Sequence, residues 1–129
     1  MGRPARARCS YALRVAIEDN GGMSTAFAET EPARAEVDAI PGPAVVEFGT
    51  PWCGYCRAAQ PLIQAALGEH PQVTHLKIED GSGRRLGRSF AVKLWPTLVF
   101  LRDGQEVTRL VRPNDTKAVR EALQAIDPV

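Results

Sequence analysis

The chain has 129 residues, about one domain's worth, with 44% hydrophobic and 24% charged residues. Sixteen Lys and Arg against fifteen Asp and Glu leave a formal charge of +1, which argues against a bulk nucleic-acid binder, because phosphate affinity comes from clustered positive charge. No apolar run approaches the ~18 residues that span a bilayer, and three Cys are too few, and odd in number, for a disulfide-stapled scaffold.

Residues 1–22 differ from the rest. They hold Arg3, Arg6, Arg8 and Arg14 with no acid before Glu18, and the apolar run at Tyr11 stops at Arg14, short of a signal peptide. They read as a disordered extension with no core to join, ahead of an alternative reading as an Arg-rich targeting peptide. Cys9 is then incidental. Glu18-Asp19 can be encoded by a purine-rich stretch at a ribosome-binding distance from Met23, so translation is expected to begin at Met23. Without the four Arg, Glu18 and Asp19, the domain 23–129 carries twelve basic and thirteen acidic residues.

From there the elements follow in order. A weak strand is expected near Ala26–Ala28. Thr30, as N-cap before Glu31-Pro32, opens a helix using Ala35, Val37 and Ile40, which Pro41-Gly42-Pro43 stops. Ala44 to Phe48 reads as a buried strand interrupted by Glu47. Cys56, Ala59, Ile63, Ala66 and Leu67 predict a helix from about Cys53 to Gly68, kinked at Pro61. Val73 to Ile78 alternates as a second strand. Leu86, Phe90 and Val92 suggest a helix ending before Trp95-Pro96. Thr97 to Leu101 is a third strand, and Asp103-Gly104 a hairpin turn into Val107, Leu110 and Val111. Asn114 or Asp115 caps a last helix carrying Val119, Leu123 and Ile126. The order predicts one α/β domain with a parallel start and a hairpin end.

Cys53-Gly54-Tyr55-Cys56 carries the chemistry. It follows a buried strand and opens a helix, where unpaired N–H groups and the dipole favour an anion. Thiolate, not thiol, is the nucleophile, so this placement activates Cys53, and solvent exposure of Cys53 is expected. Cys56 lies one turn inward, in range of a disulfide. The spacing predicts that Cys53 attacks a substrate disulfide and Cys56 resolves the mixed disulfide.

These residues resemble the thioredoxin family, in its bacterial type with a Cys-Gly-Tyr-Cys site, over roughly Ala33 to Ala125. Trp52 precedes the first Cys; Glu47 lies six before it, where a buried Asp is usual; Pro61 lies eight after it; Arg57 stands where a basic residue often follows the second Cys. Pro96-Thr97 is similar to the family's cis-proline segment. The resemblance implies a thioredoxin-like fold, a central mixed β-sheet flanked by helices on both faces. It implies a protein thiol–disulfide oxidoreductase, acting as a reductase, with Cys53 and Cys56 catalytic. Trp52, Gly54, Tyr55, Trp95 and Pro96 would border the substrate. It implies no bound cofactor and no metal, since electrons pass through the sulfurs. The partners implied are disulfide-containing proteins and a thioredoxin reductase or glutathione, for a cytoplasmic monomer with no nucleic-acid or membrane partner.

Glu47 interrupts an apolar strand, where burial is expected to raise its pKa. It is expected to take the proton from Cys56, with His75 and Lys77 as alternative cationic neighbours. Departures from the family pattern are Tyr55 in place of Pro, Gly49 in place of Trp, Trp95 before the proline, and Arg112-Pro113 near a usual Gly. Trp52, Tyr55 and Trp95 suggest an apolar docking patch, with Tyr55 exposed. A rival reading is a zinc site, since Cys53, Cys56, His70 and His75 have spacings near those of a zinc finger. Against it, the gap between Cys56 and His70 is helical, Pro71 separates the two His, and His75 falls in a strand. A non-catalytic interaction module with an inert Cys pair is the second rival.

Overall fold

The computed structural model describes residues 26–128. The extension 1–22, Cys9 and the start at Met23 lie outside them. Eight elements follow: α1 (Arg34–Asp38), β1 (Pro43–Gly49), α2 (Gly54–Leu67), β2 (Thr74–Glu79), α3 (Arg85–Ser89), β3 (Thr97–Arg102), β4 (Gln105–Val111) and α4 (Thr116–Ile126). The strands form one mixed sheet in the order β2-β1-β3-β4. β1 runs parallel to β2 and antiparallel to β3, and β3 pairs antiparallel with β4.

Strand periodicity divides the core in two. Ala44, Val46 and Phe48 of β1, with Leu76, Ile78, Val99 and Leu101, pack against Val37, Leu86 and Phe90 on the face covered by α1 and α3. Val45, Leu98 and Phe100 point the other way, into Ala59, Ile63 and Leu67 of α2 and Val119, Leu123 and Ile126 of α4. The sheet therefore carries helices on both faces, as the family resemblance implies.

The first helix corrects one expectation. Its N-cap is Ala33, not Thr30. Pro32 forces the residue before it out of the helical region, so no helix can run through Glu31. Glu36 closes the new start by accepting the Ala33 N–H at 2.9 Å. Glu31 instead caps α3, accepting from the N–H groups of Leu86 (2.8 Å) and Arg85 (3.3 Å). The segment Ala26–Ala28 forms no strand; Ala28 N–H donates to Lys77 O at 2.8 Å beside β2.

The hairpin turn at Asp103-Gly104 has positive φ at both residues (51° and 81°), and a Cβ on Gly104 would collide with the Asp38 carbonyl. Asp115 caps α4 by accepting from Ala118 N–H at 2.7 Å. Among the described residues no helix is long and apolar enough to cross a membrane.

Candidate active site

β1 ends at Gly49, and Thr50-Pro51-Trp52 turn the chain so that Cys53 becomes the N-cap of α2. Its Sγ accepts a hydrogen bond from Cys56 N–H at 3.2 Å. A helix start has donors without intrahelical partners, and here a sulfur takes one of them. Both thiols are free. The expected exposure of Cys53 is not what the fold produces: it is only 7% exposed. Capping turns its sulfur inward onto the helix start while Trp52 and Tyr55 on either side, 69% and 60% exposed, take the solvent.

Cys56 is one turn deeper and buried. Its Sγ lies against the backbone of Gly49, where a Cβ would sit 2.5 Å away. Gly at the end of β1 therefore makes room for the second sulfur. The Cys56 thiol is pushed up to about 12 by burial, by its hydrogen bond with Cys53 and by the charges of Cys53 and Glu47, against a hydrogen bond with the Thr50 backbone. The Thr50 hydroxyl is buried with no hydrogen-bond partner among the described residues.

Glu47 faces α2, fully buried. Its Oε1 lies 2.9 Å from His75 Nε2, and its Oε2 accepts from Gln60 Nε2 at 2.6 Å. Gln60 also donates to Cys56 O at 3.1 Å and accepts from Lys77 Nζ at 3.1 Å. Glu47 is opposite Lys77 in the ladder, yet its direct bond is to His75, whose ladder partner is Val45. The sequence expectation of a raised pKa is corrected. Burial does push the carboxyl up, but His75, Gln60 and Lys77 outweigh it and hold Glu47 below the usual carboxylate range.

A rim surrounds the pair. Trp52 and Trp95 meet edge to face, with centroids 5.6 Å apart. Trp95 Nε1 donates to Asp80 Oδ2 at 2.8 Å. Asp80 lies against α3 only because Gly87 has no side chain; a Cβ there would strike the carboxylate. The Trp95–Pro96 bond is cis, and Pro96 is buried. The Arg112 guanidinium sits 3.8 Å over the Tyr55 ring, and its Nε donates to Trp95 O at 2.8 Å. Gly54 is exposed with open space around it.

The zinc reading fails on geometry. Cys53 precedes α2, whereas His70 lies beyond the other end of this 14-residue helix, about 21 Å along its axis. His70 Nδ1 is 2.8 Å from Asp127 Oδ2, and His75 is bound to Glu47. Among the described residues no three His, Cys, Asp or Glu gather where a metal could sit.

Sequence reasoning placed both cysteines, Glu47 and the aromatic rim, and named His75 among the neighbours of Glu47. It missed Gln60, Asp80 and Thr50, and left Arg112 without a role. Gln60 had a usable signal: it is four residues past Cys56, on the same helix face. Asp80 had none, since its neighbours Trp95 and Gly87 come from separate elements.

The thioredoxin family model matches residues 25–125. The thioredoxin of Chlamydia trachomatis is 36% identical over 74 residues, covering 57% of this chain and 72% of that protein. That of Chlamydia muridarum is 38% identical over the same shares. Among solved structures, reduced thioredoxin 2 from Pseudomonas aeruginosa PAO1 superimposes with a TM-score of 0.72 at 57% identity, over 81% of this chain and 96% of that one.

Proposed function

This chain belongs to the thioredoxin family and is a thiol–disulfide oxidoreductase, and from that premise we propose a division of labour within its Cys pair. The asymmetry of the pair carries the reading: a backbone N–H points at the Cys53 sulfur, while the Cys56 thiol is held protonated, pushed up to about 12. Cys53 attacks a substrate disulfide as the thiolate. One substrate sulfur joins Cys53 and the other leaves and takes a proton. Cys56 then loses its proton, attacks the Cys53 sulfur and expels the second substrate thiolate. Two electrons reach the substrate, and the protein is left with a Cys53–Cys56 disulfide.

Glu47 receives the Cys56 proton in the second step. In the dithiol, the Cys53 hydrogen bond and charge both hold the proton on Cys56. Once Cys53 is in the mixed disulfide that charge is gone, and Cys56 becomes easier to ionise. Glu47, ionised at neutral pH by its His75 and Gln60 contacts, is an unprotonated carboxylate in the same buried layer, whose remaining lone pairs can take the proton. Trp52, Gly54, Tyr55, Trp95 and Pro96 border the substrate.

The working domain in this reading is 23–129, a monomer in the cytoplasm, where paired Cys stay reduced and serve catalysis. Its substrates are disulfide-bearing proteins, and a thioredoxin reductase or glutathione restores the dithiol.

Rapid mixing with a disulfide-bonded protein, acid quench and mass analysis test the assignment. Cys56→Ser should accumulate the mixed disulfide on Cys53, and Cys53→Ser should form none. Trapping on Cys56 in the Cys53→Ser protein would reverse the roles. Glu47→Ala should slow release more than attack; equal release rates in both proteins would remove Glu47 from the mechanism.

A further inference from the structure

Arg112 follows β4 with φ at +52°, a left-handed conformation that costs a side chain energy and suits Gly. Contacts to both sides of the Trp95–Pro96 bond hold it there. Its N–H donates to Pro96 O at 2.9 Å and its Nε to Trp95 O at 2.8 Å. The guanidinium plane lies on Tyr55, two residues past Cys53. Stacking and the Nε bond fix the fork in place. Both terminal nitrogens lack a hydrogen-bond partner among the described residues. A fixed guanidinium edge with free donors matches the two oxygens of a carboxylate.

The surrounding charge is net positive, although Arg84 lies 3.4 Å from Glu79. Arg57 is exposed just after Cys56. The cleft beside Trp95, about 210 Å³, is lined by Arg84, Arg88 and Lys93 against Asp80. The Asp80 carboxylate accepts from the Trp95 indole and keeps its charge, so the basic residues outnumber it without cancelling it. An acidic chain crossing this rim meets complementary potential.

We propose that Arg112 is a specificity-determining residue that selects disulfide substrates bearing an Asp or Glu side chain close to the reacting half-cystine. An extended chain advances ~3.3–3.6 Å per residue, so a side chain within three residues of the substrate sulfur comes within range of the Tyr55 ring. The inference rests on the redox function proposed above.

The test compares kcat/KM for two peptide disulfides that differ only in Glu or Gln two residues from the half-cystine. The wild-type protein should prefer the Glu peptide by about ten-fold, the size of a charge-assisted bidentate contact, and the preference should shrink as salt rises. Arg112→Gly, which suits the positive φ, should bring the ratio to about one. Arg112→Lys, with charge but no fork, should fall between. Oxidised glutathione, a second source of carboxylates, is run against its ethyl ester. A larger Arg112-dependent ratio there than for the peptides would overturn the polypeptide assignment. A wild-type ratio near one, or an unchanged ratio in Arg112→Gly, overturns the role of Arg112. Failure of the wild type to reduce either peptide overturns the redox reading itself.

Discussion

On the α1/α3 face of the sheet, Ala44, Val46 and Phe48 of β1 join an apolar cluster, and Phe48 packs on Phe90 with centroids 5.7 Å apart. On the α2/α4 face the same strand presents Val45 and then Glu47, and Glu47 gathers His75, Gln60 and, through Gln60, Lys77. Two layers made of alternate residues of one strand thus serve different ends. The first buries apolar surface without polar atoms to satisfy, so it contributes stability cheaply. The second holds a buried ionised carboxylate, which is tolerable only because each oxygen has a partner. The second layer is also the one beneath Cys56. The difference teaches where each kind of mutation should be felt.

The largest effect belongs to the apolar face. Phe48→Ala should lower unfolding stability by about 3–5 kcal/mol, the usual loss for a core Phe, read from urea denaturation. Its attack and release rates in the folded protein should be nearly those of the wild type. A change in release as large as that of Glu47→Ala would erase the distinction between the faces.

Next comes Glu47→Gln, which keeps the shape and removes the charge. It should cost about 1–3 kcal/mol, the range for an imperfectly replaced buried polar contact. The pH dependence sharpens this. The Glu47 carboxyl is held below its ordinary value in the folded chain, so as pH falls the unfolded chain takes up its proton first. The stabilisation is therefore whole above the ordinary glutamate value, near ~4.3, and is lost as pH falls through the lower folded value. Urea midpoints measured from pH 7 to pH 3 should fall less steeply for Glu47→Gln than for the wild type; parallel curves would contradict the ionised, partnered Glu47.

The smallest effect is at Thr50, whose buried hydroxyl has no partner among the described residues. Thr50→Val removes a polar atom that contributes no bond, and should be neutral or stabilising by up to ~1 kcal/mol. A loss of more than that would reveal a partner for the hydroxyl.

Much of this was legible in one dimension. Strand β1, strand β2, helix α2 and the hairpin turn are legible as a short apolar run, an alternation of period two, a period of 3.6 and a pair of turn residues. The Cys pair was read as a helix start because strand, loop and helical spacing follow one another within twenty residues. The first helix cap was misread because Glu31 was weighed as a local first-turn acid, whereas its partners are the N–H groups of α3, 54 and 55 residues away. Arg112 was noticed only as a departure, because its contacts with Tyr55 and Trp95 join three separate segments.

By itself, then, the sequence determined the order of elements and a dithiol at a helix N-terminus. Each follows from spacing along a short stretch, where geometry is set by neighbouring residues. The tertiary structure alone decided that Glu47 is ionised rather than protonated, that His75 rather than its ladder partner Lys77 bonds it directly, that Cys53 is nearly covered, and that Arg112 bridges the rim. Charge state and access depend on what surrounds a group through space, and here those neighbours come from residues 13, 17 and 28 positions away.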